Sequence, residues 1–362
     1  MQLLIDSFLL TGKPERGSIQ YAYKRYRNPY ANLPKDQRTT SGVALLLIHC
    51  INTHKETWEP TIESLFELQS SANGGNNGNI VEVWSMDSPN HGYAAYLNEE
   101  VLFTRPEIVN WSTYSDGLKM IMKSGLISGD HVIGVGHSAG ATCVVLSLDG
   151  CPLDRIPYSS LILVEPPMLS RPLLEKMLSS SDGTNLLHMV IKAVLKRKDV
   201  WSSREEARQF FAKRYPWKKW DPRVLDFFID YGLRDLPTAT YPDRQEGVTL
   251  ACPREQEAAT YTLYEGGVRS LELLSVYCPV VPVHCIIGGR PDLISDETRA
   301  AIWDVNEGRR MASIATVEGA GHMVAQESPH GTADAIWNIV NSKQAVLSAK
   351  REMRTHNWNH DT

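Results

Sequence analysis

Six cysteines occur in the chain, but none belongs to a CxxC pair or to a Cys/His spacing that would ligate a metal. Several sit in apolar runs, as Cys285 does in Val281-Pro282-Val283-His284-Cys285-Ile286-Ile287. Cys50, Cys143, Cys151, Cys252, Cys278 and Cys285 therefore read as free thiols in a reducing compartment. No apolar stretch reaches the ~18 residues of a membrane span. Basic residues are not in excess: 37 Lys and Arg stand against 42 Asp and Glu, a formal net charge of −5, which argues against the basic face of a nucleic-acid binder. The opening run Met1–Leu10 lacks a basic n-region and carries Asp6, unlike a secretory leader. The final His360-Asp361-Thr362 is not a peroxisomal tripeptide. Together these absences predict a soluble cytosolic protein. No internal repeat is visible.

What is present is an alternation of short β-branched runs with longer helical stretches, the pattern of an α/β protein with a mostly parallel central sheet covered by helices on both faces. Leu3–Leu10 and Ile19–Tyr26 read as an opening antiparallel pair. Val43–Ile48 is wholly apolar, as suits a central strand buried on both sides. Ile80–Trp84, Val132–Val135, Leu161–Val164, Val281–Ile287 and Ser313–Val317 continue the series. Helices are expected over Glu56–Ser70, Ser112–Lys123, Ala141–Leu148, Asp296–Trp303 and Thr332–Val346, with a loop at Ser71–Gly78. A chain of 362 residues exceeds the ~250 to 300 at which one core stops growing, so a core with an insertion is expected. The interval after Leu161–Val164 is too long for a crossover and contains further helices, Arg204–Arg214 and Pro222–Leu233. The core is accordingly assigned to 1–168 and 279–362, and a helical lid to 169–278. Trp201, Phe210, Phe211, Trp217, Trp220, Phe227, Phe228 and Tyr231 would serve as the lid's own core or as an apolar roof over a substrate.

Gly136-His137-Ser138-Ala139-Gly140 lies between a strand and a helix, the context that G-x-S-x-G requires. A nucleophilic serine must sit on a tight, strained turn, and side chains two residues to either side would strike the crossing strand and helix. Ser138 is thus the candidate nucleophile. A serine hydroxyl needs a base, and Val317-Glu318-Gly319-Ala320-Gly321-His322 supplies His322 after the last strand, on a loop of small residues that permits close approach. Two carboxylates compete for the third position. Glu165 ends the strand after the nucleophile and Asp292 follows the next one; both are strand C-termini, where functional groups collect in open α/β sheets. The later strand is the more usual address. The oxyanion would be met by the Ala139 N–H and a second N–H from Ile51 or Cys50. His49 is expected to brace that loop. Cys50 lacks a strand-to-helix elbow and is not expected to be a nucleophile.

At this point the chain resembles a family. His49-Cys50-Ile51-Asn52-Thr53-His54-Lys55-Glu56-Thr57-Trp58-Glu59-Pro60 is similar to the H-G-x-G-x-x-K-E-x-x-E-P segment of fungal α/β-hydrolases from toxin and secondary-metabolite pathways. Further matches are Asp87-Ser88-Pro89-Asn90-His91-Gly92, Val164-Glu165-Pro166, Asp199-Val200-Trp201-Ser202-Ser203-Arg204-Glu205, Arg234-Asp235-Leu236-Pro237-Thr238 with Tyr241-Pro242, and Gly319-Ala320-Gly321-His322. That family includes the acyl-CoA hydrolase of mycophenolic acid biosynthesis, host-selective-toxin hydrolases, and the fusarin and cytochalasan pathway hydrolases.

The resemblance implies the α/β-hydrolase fold and moves the acid to Glu165, because the mycophenolate enzyme carries its acid in the segment matching Val164-Glu165-Pro166. It also implies that Cys50 replaces a glycine beside the oxyanion loop, and that a peroxisomal location is the alternative to the cytosol. The expected chemistry is cleavage of an ester or thioester of a polyketide-type intermediate, without metal or organic cofactor. The expected partner is a small apolar substrate, an acyl-CoA among the possibilities. The competing expectation is a cyclisation or condensation in which His322 acts on a carbon acid while Ser138 positions the substrate. A non-catalytic binding protein fits less well with an intact Ser138, His322 and two acids.

Overall fold

The computed structural model describes residues 3–13, 17–28, 40–72, 79–179 and 186–342. Most of the expected loop at 71–78, the end of the expected last helix (343–346) and the C-terminal tripeptide lie outside the described residues.

Strands are β1 (Leu4–Thr11), β2 (Gln20–Arg27), β3 (Thr40–Ile48), β4 (Ile80–Met86), β5 (Gly129–His137), β6 (Ser160–Val164), β7 (Val200–Trp201), β8 (Leu233–Asp235), β9 (Val248–Leu250), β10 (Val283–Gly288) and β11 (Ser313–Val317). Eight of them form one sheet in the order β1-β2-β4-β3-β5-β6-β10-β11. β1 pairs antiparallel with β2 and β2 antiparallel with β4, as the opening pair predicted; every later pairing is parallel. The period-two alternation of a strand sends successive side chains to opposite faces, and two separate cores result. Leu46 and Ile48 of β3 with Leu161 and Leu163 of β6 enter one core; Leu45 and Leu47 with Ile162 and Val164 enter the other. Burying each such side chain contributes about 1.5–3 kcal/mol.

The first core is closed by the helices Trp111–Lys123, Ala139–Leu146 and Tyr264–Tyr277, the second by Glu59–Ser71 and Pro329–Asn341. The first of these last two starts three residues later than expected. Pro60 sits in its first turn, where a missing N–H costs nothing, and Lys55–Trp58 is a separate 3-10 turn. Two short helices, Gly92–Leu97 and Glu99–Thr104, were not anticipated.

Between β6 and β10 the chain forms the helices Arg171–Ser179, Leu186–Lys196, Arg204–Ala212, Pro222–Tyr231 and Arg254–Thr260, together with a three-stranded antiparallel sheet β7-β9-β8. The segment expected as a helical lid therefore also contains a small sheet. Its last helix, Tyr264–Tyr277, buries Leu271, Leu273, Leu274 and Tyr277 in the first core. The aromatic residues form a core of their own: Trp201, Phe211, Trp217, Trp220 and Phe228 pack with Val248 and Leu250. Phe211 and Phe228 meet edge to face, centroids 5.1 Å apart at 89°, a favourable quadrupole arrangement. Among the described residues no helix is long and apolar enough to cross a membrane.

Candidate active site

Ser138 stands where β5 turns into the helix Ala139–Leu146, with φ 51° and ψ −117°. A positive φ at a non-glycine residue is strained and must be held by its surroundings. Here the Ser138 N–H donates to Val164 O at 2.8 Å, fixing the turn to the end of β6. The flanking glycines are required sterically, since a Cβ on Gly136 would overlap the Gly140 carbonyl and one on Gly140 the Ile48 carbonyl.

His322 follows β11 and is 5% exposed. Its Nε2 lies 2.9 Å from Ser138 Oγ and its Nδ1 3.1 Å from Glu165 Oε2. An ionised carboxylate can only accept, so Nδ1 carries the proton and Nε2 accepts from the serine hydroxyl. Glu165, 1% exposed and itself at φ 48°, receives the Gly288 N–H at 2.8 Å and Arg299 Nη2 at 2.9 Å on Oε1. Burial pushes its pKa up, but the hydrogen bond and charge of His322, the Gly288 N–H and the Arg299 guanidinium outweigh that and leave it below the usual value.

Asp292, the alternative carboxylate, is joined to a different part of the histidine. Its Oδ1 and Oδ2 lie 3.0 and 3.1 Å from the backbone N–H of His322, and Oδ2 accepts from Tyr215 Oη at 3.1 Å. The close approach depends on Gly321, where a Cβ would overlap Asp292 Oδ2. On the other side the His322 carbonyl accepts from His137 Nε2 at 2.8 Å. Burial lowers the His137 pKa to about 3, so its ring is neutral.

The loop after β3 is braced as expected of His49. Ser88 N–H donates to His49 Nε2 at 2.9 Å, which places the ring proton on Nδ1, donating to Cys50 O at 2.7 Å. Burial lowers this pKa too, to about 3. Asn52, at φ 64°, donates its N–H to His91 Nε2 at 3.1 Å, and Tyr114 Oη donates to His49 O at 3.1 Å. Ile51, held between these braces, lines the same cavity as Ser138 and Ala139. Cys50 does not line it. Its thiol is 2% exposed, lies 3.4 Å from Thr53 Oγ1, and is pushed by burial to a pKa of about 12, which keeps it protonated.

The cavity has a volume of about 420 Å³, within the ordinary range of small-molecule sites. Leu169, Leu173, Met177, Leu187 and Val190 form one wall, and Trp111, Tyr261, Leu263 and Tyr264 another. None of the eight aromatic residues considered as a roof lines it. Six of them pack in the aromatic cluster and Phe227 stacks on the exposed Tyr231, while the helices Arg171–Ser179 and Leu186–Lys196 supply aliphatic residues to the wall in their place. Among the described residues no group of three or more His, Cys, Asp or Glu could hold a metal ion. Three participants were not anticipated: Arg299, His137 and His91. The histidines stand in quoted segments, but only the fold shows which backbone groups they meet; Arg299 had no local signal.

The model of the alpha/beta hydrolase family matches residues 45–335. A type I acyl-CoA thioesterase, mpaH, of Penicillium brevicompactum is 30% identical over 204 residues, 56% of this chain. The match spans 42% of that protein's length. The abhydrolase domain-containing protein AFT2-1 of Alternaria alternata is 25% identical over 267 residues, covering 63% of this chain and 95% of that one. Among solved structures, the peroxisomal alpha-beta-hydrolase Lpx1 of Saccharomyces cerevisiae superposes with a TM-score of 0.69 at 16% identity, over 98% of this chain and 94% of that one. The thioesterase domain from the curacin biosynthetic pathway gives a TM-score of 0.60 at 16% identity, over 93% and 99%. With the family model spanning most of its length, the chain belongs to the alpha/beta hydrolase family.

Proposed function

We propose that the protein cleaves an ester or thioester whose acyl part is large and apolar, using Ser138 as nucleophile, His322 as base and Glu165 as the acid that orients it. The observation that carries this reading is the unbroken run Glu165 Oε2, His322, Ser138 Oγ, at 3.1 and 2.9 Å, opening on an apolar cavity of about 420 Å³. The neutral ring takes the hydroxyl proton as Oγ attacks the acyl carbon. The tetrahedral oxyanion is met by the N–H groups of Ala139 and Ile51, each worth about 3 kcal/mol in such sites. The imidazolium then protonates the departing alcohol or thiol, and water, activated by the same base, releases the acid.

Similarity to a type I acyl-CoA thioesterase supports an acyl thioester as substrate, and the resemblance to secondary-metabolite hydrolases favours a polyketide-type acyl part. The condensation alternative rests on Cys50 standing where the family has glycine and on the resemblance to pathway hydrolases. Cys50 lines a small neighbouring space and not the cavity that holds Ser138, which favours hydrolysis. A fluorophosphonate probe should label Ser138 in the wild type and fail to label Ser138→Ala. An unlabelled wild type would count decisively against an activated serine.

A further inference from the structure

Only one oxygen of Glu165 reaches His322. The other, Oε1, is taken by the Gly288 N–H at 2.8 Å and by Arg299 Nη2 at 2.9 Å. Arg299 comes from the helix Asp296–Ile302, and its side chain is only 12% exposed. Nη2 also reaches Gly288 O at 3.3 Å, but Nε is buried without a partner. Such a residue is poorly explained as a stabiliser. Desolvating an arginine and a glutamate offsets most of their attraction, and an unmet buried donor adds a further cost.

We propose that Arg299 is a positioning residue of this site, holding Glu165 by Oε1 so that Oε2 faces the imidazole, and opposing by its charge the protonation of His322 before substrate arrives. The proposal rests on the Ser138-His322-Glu165 reading above. The charged and titratable groups facing His322 are few. Glu165 meets the ring, Arg299 stands behind it on the other carboxylate oxygen, and Asp292, which also accepts from Tyr215, lies at the backbone N–H. Glu327 sits 3.3 Å from Gly321 N and is paired with Arg290 at 2.8 Å, which also lies 3.7 Å from Asp292. His137, from β5, is held neutral by burial. Arg290 is engaged by Glu327, so loss of Arg299 leaves the carboxylates around His322 under-compensated and favours the imidazolium.

The test is the rate of fluorophosphonate labelling of Ser138 against pH in the wild type, Arg299→Gln and Arg299→Lys. In Arg299→Gln the midpoint of the acid limb should rise by about 0.5–1 pH unit, with the plateau rate reduced by up to about tenfold. Arg299→Lys, which keeps the charge, should leave the midpoint near that of the wild type. A uniform fall in rate with an unmoved midpoint would mean a merely structural arginine and overturn the proposal. So would a midpoint that moves down, or a lysine variant that shifts as far as the glutamine one. A wild type unlabelled at every pH overturns the functional reading and this proposal together, whereas normal labelling with an unmoved midpoint overturns this proposal alone.

Discussion

At the scale of single residues, Ser138 and His322 are legible in the sequence as candidates because their requirements are local. An elbow needs glycines at fixed offsets, and a base needs a loop of small residues after a late strand. The third position was not legible in the same way. Glu165 and Asp292 both end strands, and which of them reaches the imidazole depends on how two loops fold over one another. Gly288 supplies its N–H to Glu165, and Gly321 lets the Asp292 carboxylate close on the His322 backbone. The two acids therefore make different predictions. Glu165→Gln removes the charge that orients and stabilises the imidazolium, and turnover of an activated ester should fall by about 10³- to 10⁴-fold. Asp292→Asn keeps an oxygen that can accept the His322 N–H, and the loss should stay within about tenfold. Parallel measurements of kcat on folded variants decide this, and an equal loss in both would remove Glu165 as the acid.

At the scale of elements, the long strands and the sheet-covering helices announce themselves by period. β3 and β6 are apolar on both faces, and the parallel pairing follows. The small sheet does not, because β7, β8 and β9 are two or three residues long and leave no alternation to detect. The sequence left the cavity wall open for a related reason: an aromatic cluster has the same sequence signature whether it packs on itself, as most of these residues do, or on a ligand. Of the three aromatic residues that line the cavity, Trp111, Tyr261 and Tyr264, Trp111 also borders a second space. With Ile51, Ala139, Thr260 and Leu263 it borders both the cavity of about 420 Å³ and a neighbouring space of about 20 Å³ behind the oxyanion loop. Its indole N–H donates to Leu263 O, and the ring lies so close to Gly266 that an added methyl would overlap it. A pinned partition of this kind should disfavour branched acyl groups. Trp111→Ala should join the two spaces and raise kcat/KM for branched acyl esters relative to linear ones by about tenfold. Trp111→Phe should retain the linear preference. A ratio unchanged in the alanine variant would show that the partition does not set selectivity.

At the scale of the whole molecule, the site is bought with histidines that the fold keeps neutral. His49 braces the loop after β3 and His137 the His322 loop, and burial lowers both from the ordinary 6.5 to about 3. Burial also lowers His284, in β10, to about 4. The sign follows from linkage. Below pH 6.5 the unfolded chain takes up protons at these positions while the folded protein refuses them until about pH 3 to 4, so stability is complete above pH 6.5 and is lost as the pH falls through that window. Each fully buried ring contributes a slope of about 1.4 kcal/mol per pH unit. His49 and His137 together should therefore remove about 3 kcal/mol between pH 6.5 and 5. Ordinary carboxylates titrate mainly below that interval, so the loss there belongs to the histidines. Urea midpoints measured at pH 7.5, 6.5, 5.5 and 5.0 should fall steadily below pH 6.5, and His49→Gln, whose amide oxygen can still accept the Ser88 N–H, should show a shallower fall. A midpoint flat from pH 7.5 to 5 would mean that these rings take up protons in the folded state. The braces on both sides of Ser138 would then carry charge below about pH 6.5.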